Sequence, residues 1–335
     1  MTRFLGPLLI LSALVAACGG LTPEEKEQVA DYRRRASQYY ESGKPEDLGR
    51  AEQQAMRGLA MDPDNADLNH ILGRTLLKWQ DPRHVVASQK YLERAYELDP
   101  QYRTAYSLGE CHLRLGELRV KRAVTLDLSA EELDPRESEA REELAARALK
   151  LRADAEEDLD EAARFLQIAL ESNPGNIFSL RLLANTYAHM GRSDDSLETI
   201  HRLIQELVES RRWKNERLAM EALPLTEEQM LRDRLKEDLE MEMEARGLAA
   251  AIHKSQKRFR DSADMLTEVL KLDPGREREY FNRGMCLYWL GDLAAAHADM
   301  REFLRRTPLD FGADEVARAL DIVSEFESRG GGKRG

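Results

Sequence analysis

Small and apolar side chains recur along this chain with helical rather than alternating spacing, and each run ends at a proline. Twelve, eight and five positions before the proline stand Ala51, Ala55, Gly58; Ser88, Leu92, Ala95; Ala162, Leu166, Ala169; Ser262, Leu266, Val269; and Ala296, Met300, Phe303. Steps of four and three put each triplet on one face of a helix. β-Branched runs are absent, and Asp-Pro, Asn-Pro or Thr-Pro closes each segment, because proline neither donates to a helix nor lets its predecessor stay helical. The prolines are residues 63, 100, 174, 274 and 308, spaced by 37, 74, 100 and 34. One unit of 34 accounts for all four intervals: the first carries three extra residues and the second 40, while the third holds two units and 32 extra. A fixed period of this size marks an array of helix pairs that bury their apolar faces against one another.

An upstream helix in each unit carries a small residue suited to close backbone approach: Leu72-Gly73, Leu108-Gly109, Leu183-Ala184 and Arg283-Gly284. Turn glycines follow at Gly191 and Gly291. With the 34-residue period, these positions make the chain resemble the tetratricopeptide-repeat (TPR) family from about residue 28 to 308. The resemblance implies an all-α fold, a right-handed α-solenoid of about six TPR helix pairs. Residues 309–328 are expected to form a cap helix with Val316, Leu320 and Val323 facing inward, and 329–335 a disordered tail.

Two insertions interrupt the period, at about 120–160 and 211–242. Ala140, Leu144, Ala148, Leu151, Ala155 and Leu159 form one narrow stripe in the first. Leu231, Leu235, Leu239 and Met243 follow Pro224 in the second. Both predict lengthened helices projecting from the array. They serve either as charged extensions of the stack or as a docking or dimerisation surface.

The N-terminus adds a different signal. Arg3 precedes an uncharged run, Phe4 to Ala17, that is too short to span a bilayer and is interrupted by Gly6-Pro7. Val15-Ala16-Ala17-Cys18 resembles the lipobox of bacterial lipoproteins. That likeness implies a signal peptide at 1–17, a fatty-acylated Cys18, and a linker at 18–27. An ordinary signal peptide cut near Ala17 is the alternative. Gly19-Gly20, with no aspartate after the cysteine, resembles the outer-membrane default, so the expected location is the outer membrane, facing the periplasm.

Charge narrows the partners. The chain holds 62 acidic and 50 basic residues, and removal of 1–17 takes away one of the basic ones, Arg3. Such an acidic balance speaks against nucleic acid, which needs a basic footprint, and against broad adhesion to anionic lipid. No constellation for catalysis occurs. The seven histidines lack metal-ligand spacing and no serine sits in a G-x-S-x-G context, so no enzyme activity, metal or cofactor is expected. Cys111 and Cys286 occupy the same place in two distant repeats and read as buried thiols.

In the TPR family the first helices line a concave peptide groove. The resemblance carries that role to Arg74, Lys78, Arg103, Tyr106 and Arg114, then to Phe178, Arg181 and Asn185, and finally to Arg278, Phe281, Tyr288 and Trp289. Arg33, Tyr40, His70, His189, Lys254 and Met285 complete the lining. Eight basic positions face four acidic ones: Glu41, Asp67, Glu110 and Glu244. Arginine forks hold carboxylates and rings cover apolar anchors, so the implied ligand is an extended or acidic protein segment. Packing between neighbouring repeats is the alternative for the rings. Arg181, Asn185 and Arg278 also resemble the family's carboxylate clamp, although Leu248 stands where a polar member is expected. Lipoproteins of similar architecture assist pilus-secretin assembly or scaffold peptidoglycan enzymes. A self-associating structural protein, homo-oligomeric through the insertions, is the rival reading.

Overall fold

The computed structural model describes residues 20–79, 81–134, 136–220, 223–307 and 313–330; Cys18 and the last five residues lie outside them. Thirteen helices and no strand occur among the described residues. They fall into two compact units, one ending at Ser172 and one beginning at Asn173.

The first unit holds three antiparallel pairs: α1 (Pro23–Glu41) with α2 (Pro45–Met61), α3 (Ala66–Lys78) with α4 (Pro82–Leu98), and α5 (Tyr102–Glu132) with α6 (Ser138–Ser172). α1 starts on a reciprocal cap, in which the Thr22 hydroxyl accepts from the Glu25 amide and the Glu25 carboxylate from the Thr22 amide. The linker expected at 18–27 is therefore shorter, because Pro23 already occupies the first helical turn. α2 and α4 end where the pattern predicts: Asp62 and Asp99, each before a proline, leave the helical region. Gly73 and Gly109 allow α3 and α5 to lie directly on their partners. A β-carbon at either position would stand 2.6 Å from Leu92 Cγ or 2.5 Å from Leu166 Cγ.

The second unit pairs α7 (Ile177–His189) with α8 (Ser193–Leu218), α9 (Leu225–Ser255) with α10 (Phe259–Leu272), and α11 (Glu277–Trp289) with α12 (Leu293–Arg306); α13 (Ala313–Ser328) closes the series. Each of its pairs turns through a left-handed residue: Gly191 at φ 72°, Lys257 at 60° and Gly291 at 80°. The next amide reaches back to the carbonyl five residues earlier in all three cases: Tyr187, His253 and Leu287. Lys257 thus holds a glycine position without being glycine.

Six pairs and a terminal helix match the predicted array, with two differences of detail. In α13 the buried face is Val316, Ala319 and Ile322, while Leu320 is exposed, because the helix contacts its neighbours on steps of three. In α6 the inward stripe keeps Ala148, Ala155 and Leu159 but leaves Ala140 exposed near the helix start. Cys111 and Cys286 are free and buried, each against the serine that opens a preceding second-helix triplet: Ser88 at 3.2 Å and Ser262 at 3.3 Å. Burial pushes the Cys111 thiol up to about 12, so it serves as packing and stays a thiol.

Candidate peptide-binding cleft

Helices α1, α3 and α5 are the first members of their pairs, and their side chains meet across a cleft of about 530 Å³. Residues about one period apart become neighbours there. Asp67 on α3 accepts from Arg33 on α1 and from Arg103 on α5, both at 2.6 Å. Arg114, further along α5, donates to the Leu77 carbonyl at 2.6 Å and to Glu110 at 2.7 Å. Three of the arginines assigned to the groove are therefore matched by acids of the chain itself.

Arg74 and Lys78 are not. The Arg74 guanidinium lies between the Tyr40 and Tyr106 rings, 5.4 and 5.6 Å from their centroids. The Lys78 ammonium stands 4.1 Å from the Tyr40 centroid. Neither cation has a carboxylate within ion-pair distance among the described residues. Burial, and then Arg74, hold the Lys78 ammonium below its usual range, while burial raises the Tyr40 hydroxyl. His70 forms an uncharged wall beside them. Burial, Arg74 and Arg103 lower it to about 4, and its Nε2 lies 3.1 Å from the Ser107 hydroxyl. That hydroxyl already donates to the Arg103 carbonyl, so the imidazole N–H is the donor to Ser107. The cleft thus presents two cations, each set against tyrosine rings, to a ligand that supplies the anions.

In the second unit the assigned residues are placed otherwise. Phe178 on α7 is exposed, and Arg181 faces Glu244 on α9 at 3.8 Å. Arg278 on α11 faces Glu315 of the terminal helix at 3.4 Å. Phe281 packs against Phe303 with ring centroids 5.2 Å apart, and the Tyr288 hydroxyl donates to Glu325 at 2.9 Å under the Arg318 guanidinium. Trp289 is exposed on one side and rests on Phe259, 4.9 Å away on the other. Of the residues assigned to the groove, Arg278 and Tyr288 therefore reach carboxylates of α13, and Phe281 packs on Phe303 of α12. Of the clamp trio, Arg181 and Arg278 each face a carboxylate of the chain itself.

Several buried ionic groups went unread in the sequence. His112 and Arg119 on α5 both meet Asp158 on α6. Lys214 on α8 meets Asp238 on α9 at 2.5 Å, and Glu242 takes Arg211 across the same hairpin and Arg246 along its own helix. Opposite charges a fixed distance from each hairpin turn are the signal that would have found them. No group of three or more metal-ligating side chains gathers among the described residues.

A family profile matches part of the chain. Residues 155–215 match the tetratricopeptide-repeat family profile. No curated protein matches the chain. Among solved structures, the chain is similar to YrrB, described as a TPR protein with an unusual peptide-binding site, at 11% identity, covering 82% of this chain and 97% of that one, with a TM-score of 0.47. It is also similar to TTC0263, a thermophilic TPR protein of Thermus thermophilus, at 16% identity, 78% and 99% coverage, and a TM-score of 0.41. A tetratricopeptide repeat protein from Parabacteroides merdae is similar at 10% identity, 89% and 99% coverage, and a TM-score of 0.40.

Proposed function

We propose that this chain is a membrane-tethered, periplasm-facing TPR lipoprotein, a scaffold or assembly adaptor for other envelope proteins. It holds an extended acidic segment of its partner in the cleft between α1, α3 and α5. The observation that carries the reading is Arg74, layered between Tyr40 and Tyr106 without a carboxylate of its own. An arginine flanked by two rings is preorganised to receive a carboxylate, and the neighbouring Lys78 adds a second charge. The lipobox-like Val15–Cys18 supports the tether, and machinery that assembles secretins or organises peptidoglycan enzymes is the class of partner in view.

A photo-crosslinking residue at Ser37, which lines the cleft, tests the binding half in a Gram-negative host. The expected result is a discrete set of periplasmic adducts that disappears when Arg74→Glu and Lys78→Glu are combined. Adducts of unchanged yield in that double variant would refute the cleft as the binding site.

A further inference from the structure

Beyond the array, the α5–α6 hairpin carries a second surface that the cleft does not use. Its two helices meet along a row containing Arg119, Ala123 and Asp127 on α5 and Leu144, Ala148 and Arg152 on α6. Arg119 reaches the Asp154 carbonyl, Arg152 pairs with Asp127, and Ala123 and Ala148 are fully buried. One residue further along each helix stand Val120, Val124, Leu128 and Ala145, Leu149, Ala153.

The two helices run in opposite directions, so their right-handed turns have opposite senses when viewed from one end. A step of one residue from the contact row therefore lands on the same side of the hairpin in both. That side is bare. Val120, Val124, Leu128 and Leu149 are 39%, 47%, 56% and 68% exposed, and Ala145 and Ala153 are exposed beside them. Two stripes of period four thus lie side by side, each about 12 Å long at ~1.5 Å per residue, on helices about 10 Å apart. Valine on a solvated helix face costs propensity without adding solubility. The arrangement makes a shallow groove of the width one helix fills.

Lys121 and Lys150 are exposed along the flanks of the groove, so the charge at its ends is what selects the occupant. Glu131 and Glu142 stand at the hairpin tip and Glu156 at its base, all exposed and without an ion-pair partner among the described residues. Two copies pairing tip to tip would set these tip acids against one another. We infer that the Val120–Leu128 and Ala145–Ala153 face of the hairpin docks an amphipathic helix of a partner protein, apolar along one stripe and basic at its ends. The area is small, which places the contact among weak, exchanging interactions. It lies in the insertion, some 25 Å along α5 from Arg103 at ~1.5 Å per residue, and so is independent of the cleft.

The probe is a synthetic helical peptide of about 18 residues with leucines on one face and two lysines at either end, beside the same peptide ending in glutamates. Binding to the full-length chain is read by fluorescence anisotropy. The lysine peptide is expected to bind about tenfold more tightly than the glutamate one. Val124→Gln with Leu149→Gln, which leaves charge unchanged at exposed positions, is expected to weaken the lysine peptide by tenfold or more. Glu131→Gln, Glu142→Gln and Glu156→Gln together are expected to weaken it about threefold and to flatten its salt dependence. Equal binding of both peptides, or wild-type binding by the glutamine pair, overturns the site. Loss of binding in Arg74→Glu with Lys78→Glu also overturns it, by placing the peptide in the cleft. A concentration-dependent dimer in sedimentation, abolished by Val124→Gln with Leu149→Gln, overturns it in favour of a second copy.

Discussion

His70 is enclosed between α3 and α5 with two arginines in view, and the consequence is a cleft whose charge is insensitive to mild acid. The native imidazole titrates at about 4, against an ordinary value near 6.5 in the unfolded chain. Across that interval the unfolded chain binds a proton that the folded one refuses, so stability falls as the pH drops from about 6.5 toward 4 and the loss levels off below. The size is on the order of 2–3 kcal/mol for a buried group with this displacement. Denaturant unfolding of wild type and His70→Gln at pH 7.5 and 4.5 checks it. Wild type should lose about 2 kcal/mol more than the variant over that range. Parallel losses in the two proteins would show that His70 carries no such linkage.

At the scale of elements, what was legible follows local rules, and what was not depends on how helices face each other. The second-helix triplets and their prolines placed the ends of α2, α4 and α10, because Asp-Pro stops a helix whatever surrounds it. The 34-residue period placed Arg33, Asp67 and Arg103 on successive first helices, yet it could not tell that Asp67 would neutralise both arginines. Nor could a pattern of residue types show Glu315 and Glu325 of α13 reaching Arg278 and Tyr288. The ionic seam of the α8–α9 hairpin is of the same kind, and it makes a prediction. Lys214 and Asp238 are almost fully buried against each other, so Asp238→Ala strands an ammonium and should cost about 3 kcal/mol locally. Hydrogen exchange should then accelerate about 100-fold in α8 and α9 and stay unchanged in α3, since a helix array transmits such losses only to neighbours. Lys214→Met with Asp238→Leu should restore most of the protection. If the single and double variants exchange alike, the pair contributes packing alone.

For the whole molecule, the deciding question is where the array is held. None of the helices among the described residues is long and apolar enough to cross a membrane; the attachment proposed above is through Cys18. Because α1 is capped at Thr22, four residues separate Cys18 from the helix, a reach of about 14 Å at ~3.5 Å each. An acylated cysteine would hold α1, and with it Arg33 and Tyr40 of the cleft, within a few helix diameters of the lipid surface. Several acyl chains, at about 0.8 kcal/mol per buried methylene, suffice for a durable anchor where one does not. The protein and its Cys18→Ser variant, expressed in a Gram-negative host fed a labelled fatty acid, separate the possibilities. The wild type should take label and sediment with the outer membrane, and the variant should do neither. A further insertion of some 20 Gly/Ser residues after Gly20 should leave the labelling intact while moving the crosslinks at Ser37 to partners farther from the bilayer. Label in neither protein would make Cys18 incidental and remove the tether; the cleft and its test would stand without it.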